Sequence, residues 1–419
     1  MNFTPIWVGD LELAAGGSLT GPLRGPQGYQ EARLLVRLHG RPLGYMSAPI
    51  AGGNVDLSVA FELARKNFGG AIAGHLTADG LGEREGMAVA TCPVASTPST
   101  PMVSVIVCTR DRPERIGACL DGLSHLEYPN FEVVVVDNAS VTEETAELVD
   151  SRRKTDDRIR YVREMKRGLS PARNRGVAEA RGDVVAFTDD DVLVDRFWLK
   201  ALVEGLNRDP RVICATGIVP SAELESFAQF CFDQRVTWGG NFNARLYGLE
   251  DNRHESALYP YSAGIFGTGA NFAFKREPLI QMGGFDEALG AGSPSRGGED
   301  LDIFVRALQS GGMIASAPDA VAWHVHRADM HELRRQMFQY GVALSAFATK
   351  HLLGRKTAIQ VLRRVPRGVG HMIATWGKGD AAADQKRGMA VVEAVGMLIG
   401  PWAYWAARRR VARGKLLTS

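Results

Sequence analysis

Three consecutive carboxylates, Asp189, Asp190 and Asp191, close a short apolar run at residues 184–187. A run this short and rich in β-branched residues is typical of a strand buried on both faces of a parallel sheet. Ligands of open α/β sheets bind beyond the carboxyl ends of the strands. Three adjacent acids repel one another there unless a cation lies between them, and Mg²⁺ or Mn²⁺ takes carboxylate and phosphate oxygens together. We therefore expect a metal site; the alternative is a solvated acidic turn.

The elements around this run alternate between strand and helix. Residues 103–107 and 132–136 are typical of two further buried strands, and a helical pattern follows each of them. Helix starts are predicted at Asp111 with Pro113, at the capping-box pair Ser140 and Glu143, and at Ser170 with Pro171. The alternation predicts an α/β fold with a doubly wound, mostly parallel sheet.

Two common nucleotide-binding classes are disfavoured. No Gly-x-Gly-x-x-Gly follows a predicted strand, and no phosphate-loop lysine motif occurs in the chain. Because those motifs supply the backbone cradle for phosphates, their absence argues against dinucleotide oxidoreductases and phosphate-loop nucleotidases.

Three units are predicted along the 419 residues. Residues 1–95 form a small α+β domain, with a hairpin at residues 32–50 and a helix from Asp56 that stops at Gly69-Gly70, and serve as a packing or oligomerisation module. A Pro/Ser/Thr-rich linker at residues 91–101 leads to a catalytic unit at 102–345. Residues 346–419 are a basic helical region.

Charge and cysteine usage bear on location. Residues 351–419 hold thirteen Lys and Arg against three Asp and Glu, so this tail is +10 while the rest of the chain is −8. Such a tail points to an anionic partner. The five cysteines show no metal-ligand spacing, and no apolar leader opens the chain. We therefore expect a cytoplasmic protein with reduced cysteines.

Several motifs together resemble family 2 glycosyltransferases. They are Val103 to Arg112 (VSVIVCTRDR), Val133 to Ser140 (VVVVDNAS), Gly168 to Gly176 (GLSPARNRG), Thr188 to Asp191 (TDDD), Gly298 to Asp302 (GEDLD) and Trp323 to His326 (WHVH). The resemblance covers roughly residues 102–345. It implies the GT-A fold, a divalent metal, a nucleotide-diphosphate sugar as donor, and inversion at the anomeric carbon.

The resemblance also implies roles for residues at the donor site. Asp189 and Asp191 serve the metal and the ribose, and Asp190 supports them or points to the ribose. Asp137 is a base or ribose acceptor, with a turn-forming Asx residue as the alternative. Thr109 and Arg110 wrap the nucleoside, and Arg173 and Asn174 face the diphosphate from a helix N-terminus.

On the acceptor side, a Gly/Ser/Pro loop at residues 289–298 suits a closing lid and leads into a helix. The family's catalytic base aligns with Asp300, with Glu299 as the fallback, and the helix N-terminus favours the ionised carboxylate. The alternative is an acidic first turn that only stabilises the helix. His324 is expected to complete the metal site; His326, on the same side of a strand at 320–326, is the other candidate.

The basic region contains a helix at residues 330–353 and a nearly apolar stretch at 389–407, followed by Arg408, Arg409 and Arg410. This pattern favours a helix lying in a membrane interface; a core or dimer helix is the alternative, which leaves a homo-oligomer open. We expect peripheral contact with the inner face of a membrane and no nucleic-acid partner.

The sequence thus predicts a metal-dependent inverting glycosyltransferase acting on a cell-surface glycan or lipid-linked acceptor. A nucleotidyltransferase that makes nucleotide sugars is one alternative, although residues 108–112 lack the Gly-rich loop expected after its first strand. A non-catalytic carbohydrate-binding or scaffold protein is the other.

Overall fold

The computed structural model describes residues 3–89, 100–262, 264–355, 357–364 and 383–418. Most of the predicted linker at 91–101 lies outside these ranges. The first unit comprises β1 (Trp7–Glu12), β2 (Ser18–Thr20), β3 (Glu31–Leu38), β4 (Arg41–Pro49), α1 (Leu57–Ala78) and α2 (Glu83–Gly86). Its sheet has the order β2-β1-β3-β4, with β1 parallel to β3. The predicted hairpin is β3–β4.

The predicted stop of α1 at Gly69-Gly70 is wrong, because the helix continues to Ala78. Beyond the two glycines, Ile72 and Leu76 are buried in the core of this unit. Each glycine costs about 1 kcal/mol relative to alanine in a helix, and burying a Leu or Ile side chain returns about 1.5–3 kcal/mol. Packing therefore outweighs the local preference.

The central unit is built on one large sheet. Its elements are β5 (Val103–Thr109), α3 (Pro113–Ser124), β6 (Phe131–Asn138), α4 (Glu144–Arg153), β7 (Ile159–Glu164), α5 (Leu169–Glu179), β8 (Val184–Asp189), β9 (Val192–Val194), α6 (Trp198–Leu206), β10 (Val212–Ile218), α7 (Phe227–Asp233), β11 (Leu246–Tyr247), β12 (Asn271–Lys275), α8 (Arg276–Gln281), α9 (Glu299–Gln309) and β13 (Met313–His324). The sheet order is β11-β13-β10-β12-β8-β5-β6-β7, and β9 pairs with β13. Strands β7, β6, β5 and β8 are mutually parallel.

Apolar side chains cover both faces of this sheet. One core packs α3, α4 and α6 against residues such as Val105 and Val133. The other packs α5, α8 and α9 against residues such as Ile106 and Val134. Successive strand residues thus enter opposite cores, which is why the strand sequences are continuously apolar. The predicted doubly wound, mostly parallel sheet is confirmed.

The three predicted helix starts are wrong in detail. Helix α3 is capped at Arg112, while Asp111 accepts hydrogen bonds from the amides of Val141 and Thr142. Helix α4 begins only after Glu143, and Ser140 donates instead to Asp137. Helix α5 starts at Leu169, so Ser170 lies inside its first turn. Each of these polar side chains bonds a group outside the helix that it was expected to cap, and local capping rules do not consider such partners.

The first unit packs on the central one through both apolar and charged contacts. Val8 and Leu35 share a small core with Ile218, Leu224 and Trp323. Arg37 lies 3.1 Å from Asp195, and Tyr45 donates to the carbonyl of Gly239. Within the chain this unit therefore supports the edge of the large sheet that carries β13.

The C-terminal region forms a helical layer of α10 (Met330–Leu353), α11 (Ala358–Leu362) and α12 (Ala383–Thr418). The expected boundary at 345/346 falls inside α10. Helix α12 lies close against α10, because a Cβ on Gly396 would meet the carbonyl oxygen of Phe338 at 2.3 Å. By length and hydropathy, residues 388–413 pass as one candidate membrane span with a third of the window buried. Because α12 packs closely on α10, at least one face of this apolar helix is part of the protein interior.

Candidate active site at the carboxyl edge of the sheet

Strand register brings the first set of functional side chains to one edge. In the parallel pairs, Cys108 lies beside Asp189, and Thr109 beside Asp137. After β8 the chain turns into β9, which pairs with β13 so that Val192 lies opposite His324. The side chains of Asp137, Asp189 and His324 therefore come from three separate strands to the same end of the sheet.

Asp189, Asp191 and His324 form a potential metal site. Their ligand atoms all lie within 4.8 Å of one another, and His324 Nε2 is 3.4 Å from an oxygen of Asp191. Burial, together with the charges of Asp191 and Asp190, raises the pKa of Asp189 to about 7 against the opposing charge of Arg173. Burial lowers the pKa of His324, so its imidazole is neutral at pH 7. Crowded carboxylates and a neutral imidazole are a donor set that fits a divalent cation.

His326 is placed differently from His324. The two rings stack with centroids 4.6 Å apart. His326 is buried, its ring also contacts Phe232, and it lies two residues beyond the end of the observed strand at His324. The ligand cluster includes His324 and leaves His326 out among the described residues. The geometry favours His324 as the ligand.

Asp190 faces away from that cluster. Its carboxylate accepts a hydrogen bond of 2.7 Å from the Thr109 hydroxyl and one of 3.2 Å from Arg112. Both Thr109 and Asp190 are buried. This pair joins the ends of β5 and β8 and so fixes the direction in which Asp189 and Asp191 leave the strand. Of the two expected nucleoside contacts on β5 and its following turn, Arg110 is the more exposed, and it lies 3.4 Å from Asp111.

Asp137 is completely buried at the end of β6. Its carboxylate accepts hydrogen bonds from the Ser140 hydroxyl and, at 2.7 Å, from the Tyr161 hydroxyl. Both oxygens are therefore engaged within the protein. A bound nucleoside would have to replace one of these donors, and Tyr161, the less buried of the two, is the one nearer solvent.

Arg173 lies at the centre of the site. The side chain, 2% exposed, donates to Glu299 at 3.0 Å, to Asp189 at 3.4 Å and to the carbonyl of Gly269 at 2.8 Å. A buried guanidinium with such partners stays charged, and here it links the metal-site carboxylate to the start of α9. The neighbouring Asn174 instead bonds both backbone groups of Phe285, so its role toward a diphosphate stays a prediction.

Asp300 and Glu299 open α9 in different surroundings. Asp300 is partly exposed and accepts from the amide of Gly269 at 2.9 Å. Glu299 is buried against Arg173, and burial raises its pKa to about 7, with the charge of Asp300 adding to the effect. Only Asp300 combines reach to solvent with a fixed direction, so the geometry favours it as a proton acceptor.

The loop at 289–298 is folded and anchored. Gly290 and Gly297 pair across it, and Leu169 of α5 donates to the carbonyl of Ala291. Ser170 donates to the carbonyl of Leu289. The loop therefore lies directly over the N-terminus of α5; its closure on a ligand stays a prediction.

Three site residues were missed from the sequence. Arg115 is 2.6 Å from Asp191, and Arg112 contacts both Asp190 and Asp191. Tyr340 on α10 is 36% exposed as a residue. Burial around its hydroxyl raises its pKa to about 12, and the charges of Asp300 and Asp189 act on it as well. The two arginines lie at the start of α3, directly after β5, and β5 is the neighbour of the strand that ends in the three carboxylates. A search of the sequence for cations close to those carboxylates would have found them. Tyr340 gave no local signal, because only tertiary packing brings α10 over the site.

Comparison with known proteins agrees with this arrangement. Residues 104–283 match the model of glycosyl transferase family 2. A glucosyl-dolichyl phosphate glucuronosyltransferase of Haloferax volcanii is 27% identical over 190 residues, covering 45% of this chain and 57% of that protein. A pre-mycofactocin glycosyltransferase of Mycobacterium tuberculosis is 28% identical over 186 residues, covering 44% and 36%. The chain thus spans about half or less of the length of these relatives.

Among solved structures, a mannosyltransferase from Pyrobaculum calidifontis superposes with a TM-score of 0.51 at 22% identity, covering 74% of this chain and 90% of that one. The fold is therefore of the GT-A type. With the match over residues 104–283, this part of the chain is assigned to glycosyl transferase family 2, and both expectations from the sequence, the family and the fold, are confirmed.

Proposed function

We propose that this chain transfers a sugar from a nucleotide-diphosphate donor to an acceptor hydroxyl, with a divalent metal and with inversion at the anomeric carbon. One observation carries the proposal: the ligand atoms of Asp189, Asp191 and His324 lie together at one edge of the sheet. Arg173 and Asp300 lie at the same edge. The family match and the relatives' glycosyltransferase activities support the reaction class.

The metal would be held by Asp189, Asp191 and His324. When bound, Mn²⁺ or Mg²⁺ would supply positive charge for the diphosphate that leaves the sugar. The Pyrobaculum mannosyltransferase, which has this fold, was solved with GDP-mannose and Mn²⁺, and this supports a divalent ion in this chain.

The chain's own residues would handle positioning and proton transfer. Asp300 accepts the proton of the acceptor hydroxyl while that oxygen attacks the anomeric carbon. The bond from the sugar to the diphosphate breaks, and its electron pair leaves with the diphosphate. Arg173, by pairing with Glu299, keeps that second carboxylate occupied and leaves Asp300 as the free base.

The nucleoside would bind along Thr109, Arg110 and Asp137. Because Asp137 already accepts from Ser140 and Tyr161, a base or ribose donor would take the place of the Tyr161 hydroxyl. Thr109 would act through Asp190. Arg110 supplies a partly exposed guanidinium at the same edge.

A lipid-linked acceptor fits the C-terminal helices. Helix α12 leaves apolar residues exposed at three- and four-residue spacing, namely Val391, Val395, Leu398, Trp402 and Trp405. Its opposite face places Tyr404 and Ala407 against Leu289, where the loop over α5 begins. A membrane bound to the exposed stripe would thus lie near that loop, and Arg408–Arg410 would meet anionic headgroups. The dolichyl-phosphate acceptor named for the Haloferax relative supports this class.

The decisive experiment is a donor screen. The purified chain would be incubated with nucleotide sugars, Mn²⁺ and a lipid-linked glycan, and nucleoside diphosphate release and product anomer would be measured. A glycosyltransferase releases nucleoside diphosphate only with acceptor and forms the inverted anomer. A nucleotidyltransferase would release pyrophosphate from a nucleoside triphosphate instead. A scaffold protein would bind donor without turnover. Either of the latter results would overturn the proposal.

A further inference from the structure

A second group of potential metal ligands lies in the first unit, far along the chain from the transferase site. His39 sits in the turn between β3 and β4, His75 in the last turn of α1, and Asp79 caps that helix. His39 Nδ1 is 3.0 Å from His75 Nε2 and 3.4 Å from Asp79 Oδ2, and His75 Nε2 is 3.3 Å from the same oxygen. Three ligand atoms from two separate segments therefore converge on one point.

These separations match a small tetrahedral ion. Zinc ligands at about 2.0–2.1 Å from the metal lie about 3.3 Å from one another at tetrahedral angles. The three observed distances fall close to this value on all three edges. Two imidazoles and one carboxylate are also a donor set that zinc takes readily.

The surroundings orient the His39 ring for such a role. His39 Nε2 lies 2.7 Å from the carbonyl oxygen of Gly86, which can only accept. Nε2 therefore donates to this carbonyl, and in the neutral imidazole Nδ1 directs its lone pair toward His75 and Asp79. Ligating histidines commonly donate their second nitrogen to a carbonyl in this way. The imidazole of His39 is fully buried.

Asp79 supplies an independent indication. Its side chain is 9% exposed, and its Oδ2 is buried without a hydrogen-bond donor among the described residues. A buried carboxylate oxygen without a hydrogen-bond donor carries a cost of about 1–3 kcal/mol, because the group has lost its water. The two imidazole nitrogens lie 3.3 and 3.4 Å from this oxygen without making a hydrogen bond to it, and a cation between the three atoms would satisfy it.

The backbone at His39 is also costly. His39 and Gly40 have φ values of 56° and 79° in a two-residue hairpin turn, where Asn-Gly is the favoured sequence. A histidine in this conformation persists where the surrounding structure holds it. Glu12 does so, by accepting from the amides of His39 and Gly40.

We propose that His39, His75 and Asp79 bind one Zn²⁺ ion that stabilises this unit, with water as the fourth ligand. The ion joins the β3–β4 turn to the end of α1 and so fixes the helix that covers the small sheet. This site is chemically distinct from the carboxylate-rich transferase site and does not depend on the proposed activity.

Metal binding by the full chain tests the proposal. Asp191→Asn would serve as the background, because it removes a ligand of the transferase site. After chelator treatment, Co²⁺ would be added as a spectroscopic substitute for Zn²⁺, and bound Zn²⁺ would be counted by mass spectrometry. We expect about one equivalent, with the intense visible absorption of tetrahedral Co²⁺. His75→Ala and Asp79→Asn should lose it, and the exposed control His125→Ala should keep it.

Thermal unfolding separates ligand loss from misfolding. Zn²⁺ should raise the Tm of the Asp191→Asn chain, and the near-isosteric Asp79→Asn change should abolish that rise while the circular dichroism stays native. The proposal is overturned if the Asp191→Asn chain binds neither ion, or if Asp79→Asn binds Co²⁺ with the same stoichiometry and spectrum.

Discussion

Asp300 is partly exposed and the adjacent Glu299 is buried. We therefore expect substitutions of the two carboxylates to affect turnover and stability differently. Replacing Asp300 with Asn preserves its shape and the bond from Gly269 but removes the proton acceptor. We expect turnover to fall by about 10²–10⁴-fold with donor affinity unchanged. Steady-state rates together with a calorimetric donor Kd would measure both quantities.

Glu299→Gln is the matched comparison for Asp300→Asn. Because Glu299 is buried on Arg173, its loss should lower stability as well as activity. Near-normal turnover in Asp300→Asn, with the large loss in Glu299→Gln at unchanged stability, would transfer the role of base to Glu299.

At this scale the sequence offered two motifs and a family resemblance. The acidic motif, the histidine motif and the resemblance predicted Asp189, Asp191 and His324 as metal ligands, and in the structure their ligand atoms lie within 4.8 Å of one another. The sequence could not predict the hydrogen bonds of Asn174 with Phe285 and of Tyr161 with Asp137. These bonds join residues that are 111 and 24 positions apart in the chain. The roles of all these residues toward donor and acceptor stay predictions.

At the scale of elements, Asp302 joins α9 to α10. It is fully buried, lies 2.7 Å from Arg306 Nε and 2.8 Å from Lys350 Nζ, and contacts His351. Burial alone would raise its pKa, but the close approach of His351 and the charges of Lys350 and Arg306 hold the pKa well below its usual range. The ionised form therefore stabilises the packing of the two helices.

This anchor predicts a pH dependence of stability. Since the pKa of Asp302 is depressed on folding, its contribution is present above the unfolded value of about 3.9 and is lost as pH falls below it. Asp302→Asn should cost at most about 3–5 kcal/mol at pH 7, because it removes the buried anion that the partly buried Arg306 and Lys350 share. The deficit should shrink below about pH 4. Urea unfolding at several pH values would measure it.

Asp150→Asn, an exposed change on α4, is the control and should leave the free energy of unfolding within about 0.5 kcal/mol. A deficit in Asp302→Asn that is small, or constant from pH 7 to pH 3, would contradict the anchor.

The sequence predicted which segments form strands and helices. For β5, β6 and β8 it did so because their continuously apolar pattern is typical of strands buried on both faces of a sheet. The ends of the helices could not be predicted in this way. Ser140 and Asp111 match the sequence rules for helix caps, but in the structure they form hydrogen bonds across the sheet edge. Helix α1 continues past two glycines because Ile72 and Leu76 are buried beyond them. Local rules describe isolated segments, and tertiary partners decide between them.

At the scale of the whole molecule, the exposed stripe of α12 predicts membrane binding. Leu398 and Trp402 are 76% and 73% exposed. Changing both to Gln removes apolar surface without touching the face packed on α10. We expect the full chain to float with anionic vesicles at low salt, less at high salt, and the double variant to float poorly.

Val141→Gln is the matched control, because Val141 is equally exposed but lies beside the sheet edge far from α12 in sequence. Equal flotation of the double variant and the wild type would show that the exposed stripe of α12 is not the membrane-binding surface. A chain that never floats but sediments as a dimer, with the double variant monomeric, would assign the stripe to a second copy instead.

The central claim is that Asp189, Asp191 and His324 hold a divalent ion that the donor needs. Calorimetric binding of nucleoside diphosphate with Mn²⁺, and again with chelator, tests it most directly in the wild type, in Asp191→Asn and in Asp150→Asn. The account predicts that chelator or Asp191→Asn weakens binding by at least about tenfold and that Asp150→Asn does not. Equal affinity in all samples, with or without Mn²⁺, would contradict it.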